Sequence, residues 1–217
     1  MKRRTFDLIL IVGGTAIAIL LVVLGAVMKD NASFAKSYVR NQLSAQKITF
    51  TPEASLNDAE RSANCLVKYA GTPLDSGKKA ECYANEYIAL HMRESAEEAG
   101  YDGATYATLG AAQREAREAL AAAEEAGDPT EPLQARLDDV NSLRDTMFRG
   151  ESLRGLLLTS YGFSVFGEKG DLAATVCFLA AAVLALAVLA GLLHFFRTPA
   201  DRTLDGADRT HDEVAVT

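Results

Sequence analysis

The sequence predicts an all-α protein in which two transmembrane helices flank an extracytoplasmic helical domain. Residues 8–28 form an uncharged run of 21 residues, and residues 172–196 form a run of 25 residues without a formal charge. A helix needs about 20 apolar residues to cross about 30 Å of hydrocarbon. The 143 residues between the two runs, 29–171, carry most of the charge and are numerous enough to fold as a domain.

The distribution of basic residues predicts the orientation of the two spans. The outer ends of the chain carry Lys2, Arg3, Arg4, Arg197 and Arg202, whereas the inner flanks carry only Lys29 and Lys169. Because basic residues stay on the cytoplasmic side, residues 1–7 and the acidic tail 197–217 are expected in the cytoplasm of a two-pass protein of the cell membrane. The first run could instead be a cleaved signal peptide, but it is longer than the usual apolar core and no Ala-x-Ala site follows it.

The charge of the predicted external domain argues against nucleic acid as a partner. Residues 29–171 contain 16 Lys and Arg against 23 Asp and Glu. Such a domain has no basic stripe that could neutralise phosphates. The expected partners are membrane lipid and, as argued below, an integral membrane protein complex.

Two of the three cysteines, Cys65 and Cys82, lie in the predicted external domain. Each lies in a segment of helical pattern, and the turn "GTPLDSG" between the segments is about equally far from both. An antiparallel helix pair would bring the two cysteines level, and an oxidising compartment would favour a disulfide. The alternative is two unpaired small apolar residues on packed faces.

Three further segments of the external domain have helical patterns. The first span is expected to continue as a stem through about residue 43, and "ITFTPE" favours a short extended segment. The segment "AAQREAREALAAAEEAG" has an apolar face made almost only of alanine, so we expect it to dock weakly or to project. The strongest amphipathic pattern comprises Leu133, Leu137, Val140, Leu143 and Met147 or Phe148.

Residues 148–170 combine aromatic and basic residues just before the second span. Residues 153–167 are mostly uncharged but too few to cross a membrane, which predicts an interfacial elbow with a bend at Gly162, Gly167 and Gly170. The candidate docking residues are Arg149, Arg154, Leu156, Leu157, Tyr161, Phe163 and Phe166. The alternative is that this stretch is the end of the last outer helix, packed on the stem.

The residue pattern predicts no catalytic, cofactor or metal site. The three histidines, His91, His194 and His211, are predicted to lie on opposite sides of a membrane, and neither side has a local His or Cys pattern for zinc or iron. No phosphate-binding loop, dinucleotide fingerprint or nucleophile elbow occurs. We therefore infer no small-molecule substrate.

Several motifs resemble a family of actinobacterial two-span membrane proteins, many of which are labelled automatically as aromatic ring-opening dioxygenases. These motifs are "MKRRTFD", "AQKITF", "KYAG", "AECYANEYIALHM" and "MFRGESLRGLLLTSYGFSVFG". The resemblance covers most of the chain except the Ala/Glu/Arg segment and the acidic tail. It implies a role as an accessory subunit of the actinobacterial cytochrome bc–cytochrome oxidase supercomplex, whereas the dioxygenase label conflicts with the histidine pattern.

The sequence thus leaves hypotheses from different classes. The first is a non-catalytic interaction protein, consistent with Gly14 and Ala18, which form a small-xxx-small face that suits helix packing in lipid. The alternative is that this face only packs the two spans on each other. The second is an envelope enzyme or sensor with a site near Tyr87, His91 and Glu94, which share one helical face. A structural protein linked to the cell wall is a third.

Overall fold

The computed structural model describes residues 3–199. Residues 1–2 and 200–217, which include most of the predicted acidic tail and His211, lie outside the described residues. The described elements are α1 (Arg3–Ala45), a 3-10 turn (Glu53–Ser55), α2 (Asp58–Ser62), α3 (Asn64–Tyr69), α4 (Gly77–Cys82), a π-helical segment (Tyr83–Ile88), α5 (Ala89–Glu98), α6 (Leu109–Ala126) and α7 (Glu131–Arg197). An antiparallel bridge joins Thr49, in the predicted extended segment, to Pro73 in the turn between the two cysteines. The described part of the chain is therefore all-helical, as predicted.

The chain divides into two compact units. The first, called here the paired-helix unit, contains residues 3–34 and 167–199 of the described chain, from α1 and α7. The second, called here the helical unit, contains residues 35–166.

In the paired-helix unit, α1 and α7 meet along a seam of regularly spaced residues. The less exposed positions of α1 recur at intervals of three and four, as in coiled coils, and comprise Arg4, Asp7, Ile11, Gly14, Ala18, Leu21 and Gly25. A Cβ atom on Gly14 would lie 2.8 Å from Val188 Cγ2, and one on Gly25 would lie 2.9 Å from the Phe178 ring. The small residues therefore allow the two helices of this unit to approach closely.

The outer surface of the paired-helix unit is strongly apolar. Both α1 and α7 are long and apolar enough to cross a membrane, and only 6% of the most apolar window of each is buried inside the protein. A helix in the core of a soluble protein would be mostly buried. At one end of the unit, Lys29 and Asp171 form an ion pair.

Two hydrophobic clusters form the core of the helical unit. Phe50, Leu66 and Leu74 are 1–2% exposed and lie in the first cluster, where Phe50 contacts Tyr83 edge to face at a centroid distance of 5.3 Å. The second cluster joins α5, α6 and α7 through Ala96, Leu109, Leu143 and Met147. The predicted amphipathic stripe of α7 is thus buried from Leu137 to Met147, whereas Phe148 is 53% exposed.

The alanine-rich helix α6 packs on α7 rather than projecting. Ala116 and Ala123 are 1% and 8% exposed. Polar contacts supplement this shallow apolar face, because Gln113 donates to Asn141 at 2.6 Å and accepts from Arg144 at 2.9 Å. The expectation of a weakly attached helix overlooked these side-chain hydrogen bonds, each of which contributes about 1 kcal/mol.

The predicted bend in the elbow at residues 148–170 is wrong, because no bend interrupts the helix there. Helix α7 continues without interruption through this segment, and Gly162, Gly167 and Gly170 are helical residues. The glycines with positive φ angles lie elsewhere in the described chain. A glycine costs a helix about 1 kcal/mol, which is too little to end one flanked by good helix formers.

Gly77, the first residue of α4, allows α4 and α7 to approach closely. A Cβ atom at this buried position would overlap the Ser164 side chain and lie 3.4 Å from the Tyr161 Cα atom. We expect Gly77→Ala to lower the free energy of unfolding by about 1–3 kcal/mol because backbone as well as side chain must move. Gly155→Ala is the matched control, since nothing lies within 4 Å of its added Cβ.

Urea titration of the full chain in detergent, followed by tyrosine fluorescence, measures both effects. All seven tyrosines lie within the helical unit and the chain has no tryptophan, so the signal reports on this unit. Gly155→Ala should leave the stability unchanged or raise it by up to about 1 kcal/mol. Equal effects of the two substitutions would show that the contact at Gly77 is unimportant.

Candidate functional site

The structure separates the predicted docking residues into an exposed and a buried group. Leu156, Phe163 and Phe166 are 68%, 58% and 79% exposed on one side of α7. Leu157 is only 3% exposed and belongs to the first core cluster, together with Val39 and Leu43 of α1. Leu157 is therefore a core residue and not a docking residue, because successive residues on a helix point in directions about 100° apart.

Arg154 and Tyr161 also face the interior of the helical unit. Arg154 donates from Nη2 to Asn85 Oδ1 at 3.2 Å, and its Nε atom is buried without a hydrogen-bond partner. Tyr161 accepts a hydrogen bond from Lys78 Nζ at 3.2 Å, and the Lys78 ammonium lies 4.8 Å from the centre of its ring. These contacts attach α4 and the π-helical segment to α7, so both residues have internal roles in the structure.

The contact between Lys78 and Tyr161 favours the charged form of the lysine. The hydrogen bond to Tyr161 raises the pKa of Lys78 above its usual value, and a second hydrogen bond to Glu81 acts in the same direction. Burial has a smaller and opposite effect. The Lys78 side chain is 56% exposed, and its contacts with Tyr161 join α4 to α7.

Arg149 lies on the same side of α7 as Leu156. Its side chain is 77% exposed and pairs with Asp145 across one helical turn at 2.6 Å. An exposed ion pair of this kind contributes less than about 1 kcal/mol. Arg149 can therefore exchange Asp145 for a carboxylate of a partner at little cost.

An apolar groove runs beside this exposed face of α7. The groove has a volume of about 330 Å³ and lies between residues of α1 and α7 within the helical unit. Its apolar walls include Leu43, Leu153 and Leu156, and its polar groups come from Gln42, Gln46, Thr159 and Ser160. The groove therefore offers apolar side chains for hydrophobic contact as well as polar groups for hydrogen bonds.

A second polar feature centres on Glu60, whose side chain is buried. Glu60 Oε2 accepts from the Asn57 backbone N–H at 2.9 Å, and the Glu60 N–H donates to Asn57 Oδ1 at 2.7 Å. This reciprocal pair is a capping box at the start of α2. The other oxygen, Oε1, lies 3.1 Å from His91 Nε2.

His91 lies between two carboxylates. Its Nδ1 atom is 3.1 Å from Glu94 Oε2, while Nε2 faces the buried Glu60. A neutral imidazole has one N–H and can donate to one of these carboxylates, whereas the protonated ring can donate to both. Both nitrogens thus face side chains of the protein itself, an arrangement that favours a structural contact over a catalytic base.

Two tyrosine rings of the π-helical segment lead to His91. Tyr83 and Tyr87 stack at a centroid distance of 4.6 Å, and Tyr87 meets His91 edge to face at 4.4 Å. Burial is the main reason why the pKa of Tyr83 rises to about 12, and the nearby Tyr87 and Glu60 contribute. Tyr83 therefore stays neutral over the physiological range.

A disulfide joins Cys65 of α3 to Cys82 at the end of α4. Their Cα atoms are 6.0 Å apart, within the usual range for this bond. Cys82 directly precedes the π-helical segment, so the bond connects α3 to the polypeptide that carries Tyr83 and His91. Cys177 of α7 is a free cysteine.

The described residues do not fit an iron site of the kind that the dioxygenase label implies. Between residues 3 and 199, no group of three or more His, Cys, Asp and Glu side chains could hold a metal ion. His194 contacts Thr198 in the paired-helix unit, while His91 lies in the helical unit.

Sequence reasoning missed Glu60, which organises the polar cluster. The signal was present as "NDAE", residues 57–60, which has the Asn-x-x-Glu pattern of a capping box. The contact of Glu60 with His91 spans 31 residues, and no local pattern predicts it. Tyr87, His91 and Glu94, singled out for sharing a helical face, are brought together by the structure.

Comparison with protein-family models, with curated proteins and with solved structures finds no match to this chain. The class of protein therefore rests on the fold. Between residues 3 and 199 the protein is all-helical, with two helices that are long and apolar enough to cross a membrane and a helical unit that contains a disulfide.

Proposed function

We propose that the protein is a non-catalytic, membrane-anchored accessory or scaffold protein. Residues 8–28 and 172–196 cross the cell membrane, both termini are cytoplasmic, and residues 29–171 are extracytoplasmic. The many exposed apolar side chains of the paired-helix unit support this placement, because lipid would cover surface that water does not favour.

The proposed interaction role rests on the exposed face of α7 in the helical unit. Leu153, Leu156 and Phe163 combine with the adjoining groove into one apolar surface. Contiguous apolar surface on a folded unit typically marks an interaction site. Gln42 and Gln46 in the groove favour a protein partner over hydrocarbon, because amide groups need hydrogen-bond partners.

The occupant that we propose is a helix of an integral membrane protein complex. An apolar helix face fits such a groove, and Arg149, one helical turn before Leu153 of the groove, suits a carboxylate on the partner. The motif resemblance points to the actinobacterial cytochrome bc–cytochrome oxidase supercomplex as that complex.

Pull-down from host membranes in mild detergent tests the proposal. We expect the tagged protein to recover haem proteins, and we expect the double substitution Leu156→Gln and Phe163→Gln to reduce their recovery about tenfold or more. The loss of two central apolar contacts costs about 1–2 kcal/mol each. Both side chains are exposed, so the helical unit should keep its stability.

Val67→Gln is the matched control, because Val67 is an exposed apolar residue on α3 that does not line the groove. It should leave the recovery of haem proteins unchanged. Recovery that is unchanged in the double variant would reject the docking face.

An enzyme or sensor centred on His91 is the alternative from a different class. Its support is the cluster of Glu60, His91 and Glu94, which brings two carboxylates together around an imidazole that is 39% exposed. Recovery of the protein alone, with a bound metal that is lost on His91→Ala, would favour this alternative and contradict the accessory role.

A further inference from the structure

The seam of the paired-helix unit contains an acidic side chain without a hydrogen-bond partner at one oxygen. Asp7 lies on the face of α1 that packs on α7, and its Oδ2 atom is buried without a donor. A carboxylate oxygen removed from water without a partner is costly. Ionisable groups within a membrane span usually face a partner or a cavity and mark functional sites.

Asp7 stands at the end of an apolar cavity between α1 and α7. The cavity has a volume of about 260 Å³ and is lined by Asp7, Leu10, Ile11, Gly14, Leu184, Ala187, Val188 and Gly191. Asp7 is the one charged residue in this lining. Asp7 and Gly14 lie about 10 Å apart along the helix axis. The cavity therefore has a polar end at Asp7 and an apolar body toward Gly14.

Arg4 supplies a positive charge next to the polar end. It lies three residues before Asp7, on the same side of α1. Its Nε atom donates to the Thr198 carbonyl oxygen at 3.1 Å, and its guanidinium lies 5.4 Å from the centre of the Phe195 ring. These contacts hold the guanidinium near α7, where it can bind a phosphate.

We propose that this cavity binds a phospholipid with a primary ammonium headgroup, with the ammonium on Asp7, the phosphate on Arg4 and part of one acyl chain along Ile11 and Gly14. A primary ammonium has three N–H donors for the Asp7 carboxylate. An apolar helix of another protein would leave the Asp7 carboxylate without a donor. The proposal rests on the proposed membrane insertion and adds a specific lipid to it.

Native mass spectrometry of the full-length protein tests the proposal. The protein is reconstituted separately with phosphatidylethanolamine, phosphatidylcholine or phosphatidylglycerol and then released from excess lipid. We expect one phosphatidylethanolamine to be retained, and we expect Asp7→Asn to reduce that retention about tenfold. Phosphatidylcholine has no N–H donor on its ammonium, and phosphatidylglycerol has no ammonium. The wild-type protein should retain either of them no better than Asp7→Asn retains phosphatidylethanolamine.

Two further variants keep the result interpretable. Asp7→Glu keeps the carboxylate and should retain the lipid, which separates loss of the site from loss of the fold. Asp30→Asn removes an exposed carboxylate at the other end of the same span and should behave like the wild type. Equal retention of the three lipids by the wild-type protein, or unchanged retention by Asp7→Asn, would overturn the proposal.

Failure of this proposal can be distinguished from failure of the proposed function. Extraction of host membranes with alkaline carbonate reports on membrane insertion without regard to headgroup. A protein that stays in the membrane fraction but retains the three lipids equally is anchored without the lipid site. A protein released by carbonate would contradict the membrane anchor itself, and with it the lipid site.

Discussion

Replacing Cys65 and Cys82 together with serine should lower the free energy of unfolding of the helical unit by about 3 kcal/mol. The bond closes a loop with a sequence separation of 17 residues, and opening it restores chain entropy to the unfolded state. The bond also holds α3 beside the residue at which the π-helical segment begins. Urea titration of the full chain, followed by tyrosine fluorescence, measures the loss.

Cys177→Ser is the control for this prediction, because Cys177 is a free cysteine in the paired-helix unit. It should leave the urea midpoint unchanged. Treatment of the wild-type protein with a reducing agent should lower the midpoint to that of the double variant. A double variant as stable as the wild type would contradict the stabilising role of the bond.

Glu60→Ala should lower the stability of the same unit by about 2–3 kcal/mol. The substitution removes the acceptor for the Asn57 N–H and for His91, and it leaves space at a position that is 4% exposed. The loss of a helix cap and of a buried charge-assisted hydrogen bond each contributes about 1 kcal/mol or more. The same urea titration measures the effect.

Glu86→Ala is the matched control, because Glu86 is an exposed carboxylate in the neighbouring π-helical segment. We expect a change within about 0.5 kcal/mol, as for most surface substitutions. His91→Ala should cost less than Glu60→Ala, since the His91 side chain is 39% exposed and water can replace its contacts. If Glu60→Ala and Glu86→Ala were equally mild, the cluster would not stabilise the unit.

The sequence was sufficient to predict the helices because their patterns are local. The apolar runs near 8–28 and 172–196 identify the two candidate spans, and Gly127, with φ of 72°, ends α6 where the sequence predicts. The stripe from Leu137 to Met147 is buried as its spacing predicts. Each of these features depends on residues within a few helical turns of one another.

The predicted docking residues required the tertiary structure, because exposure depends on what packs against α7. Leu156 and Leu157 are adjacent and chemically identical, yet one is 68% exposed and the other 3%. The residues that cover Leu157, Val39 and Leu43 of α1, are more than 100 residues away in the chain. No local pattern contains that information.

The sequence by itself determined the all-helical class, the two apolar helices and the separation of charged from apolar segments, since short-range periodicity and composition specify all three. Only the tertiary structure decided that Glu60 lies against His91 and that Leu157 is buried. It also decided that Asp7 faces a cavity. These features depend on contacts between residues far apart in the chain, which no local pattern specifies.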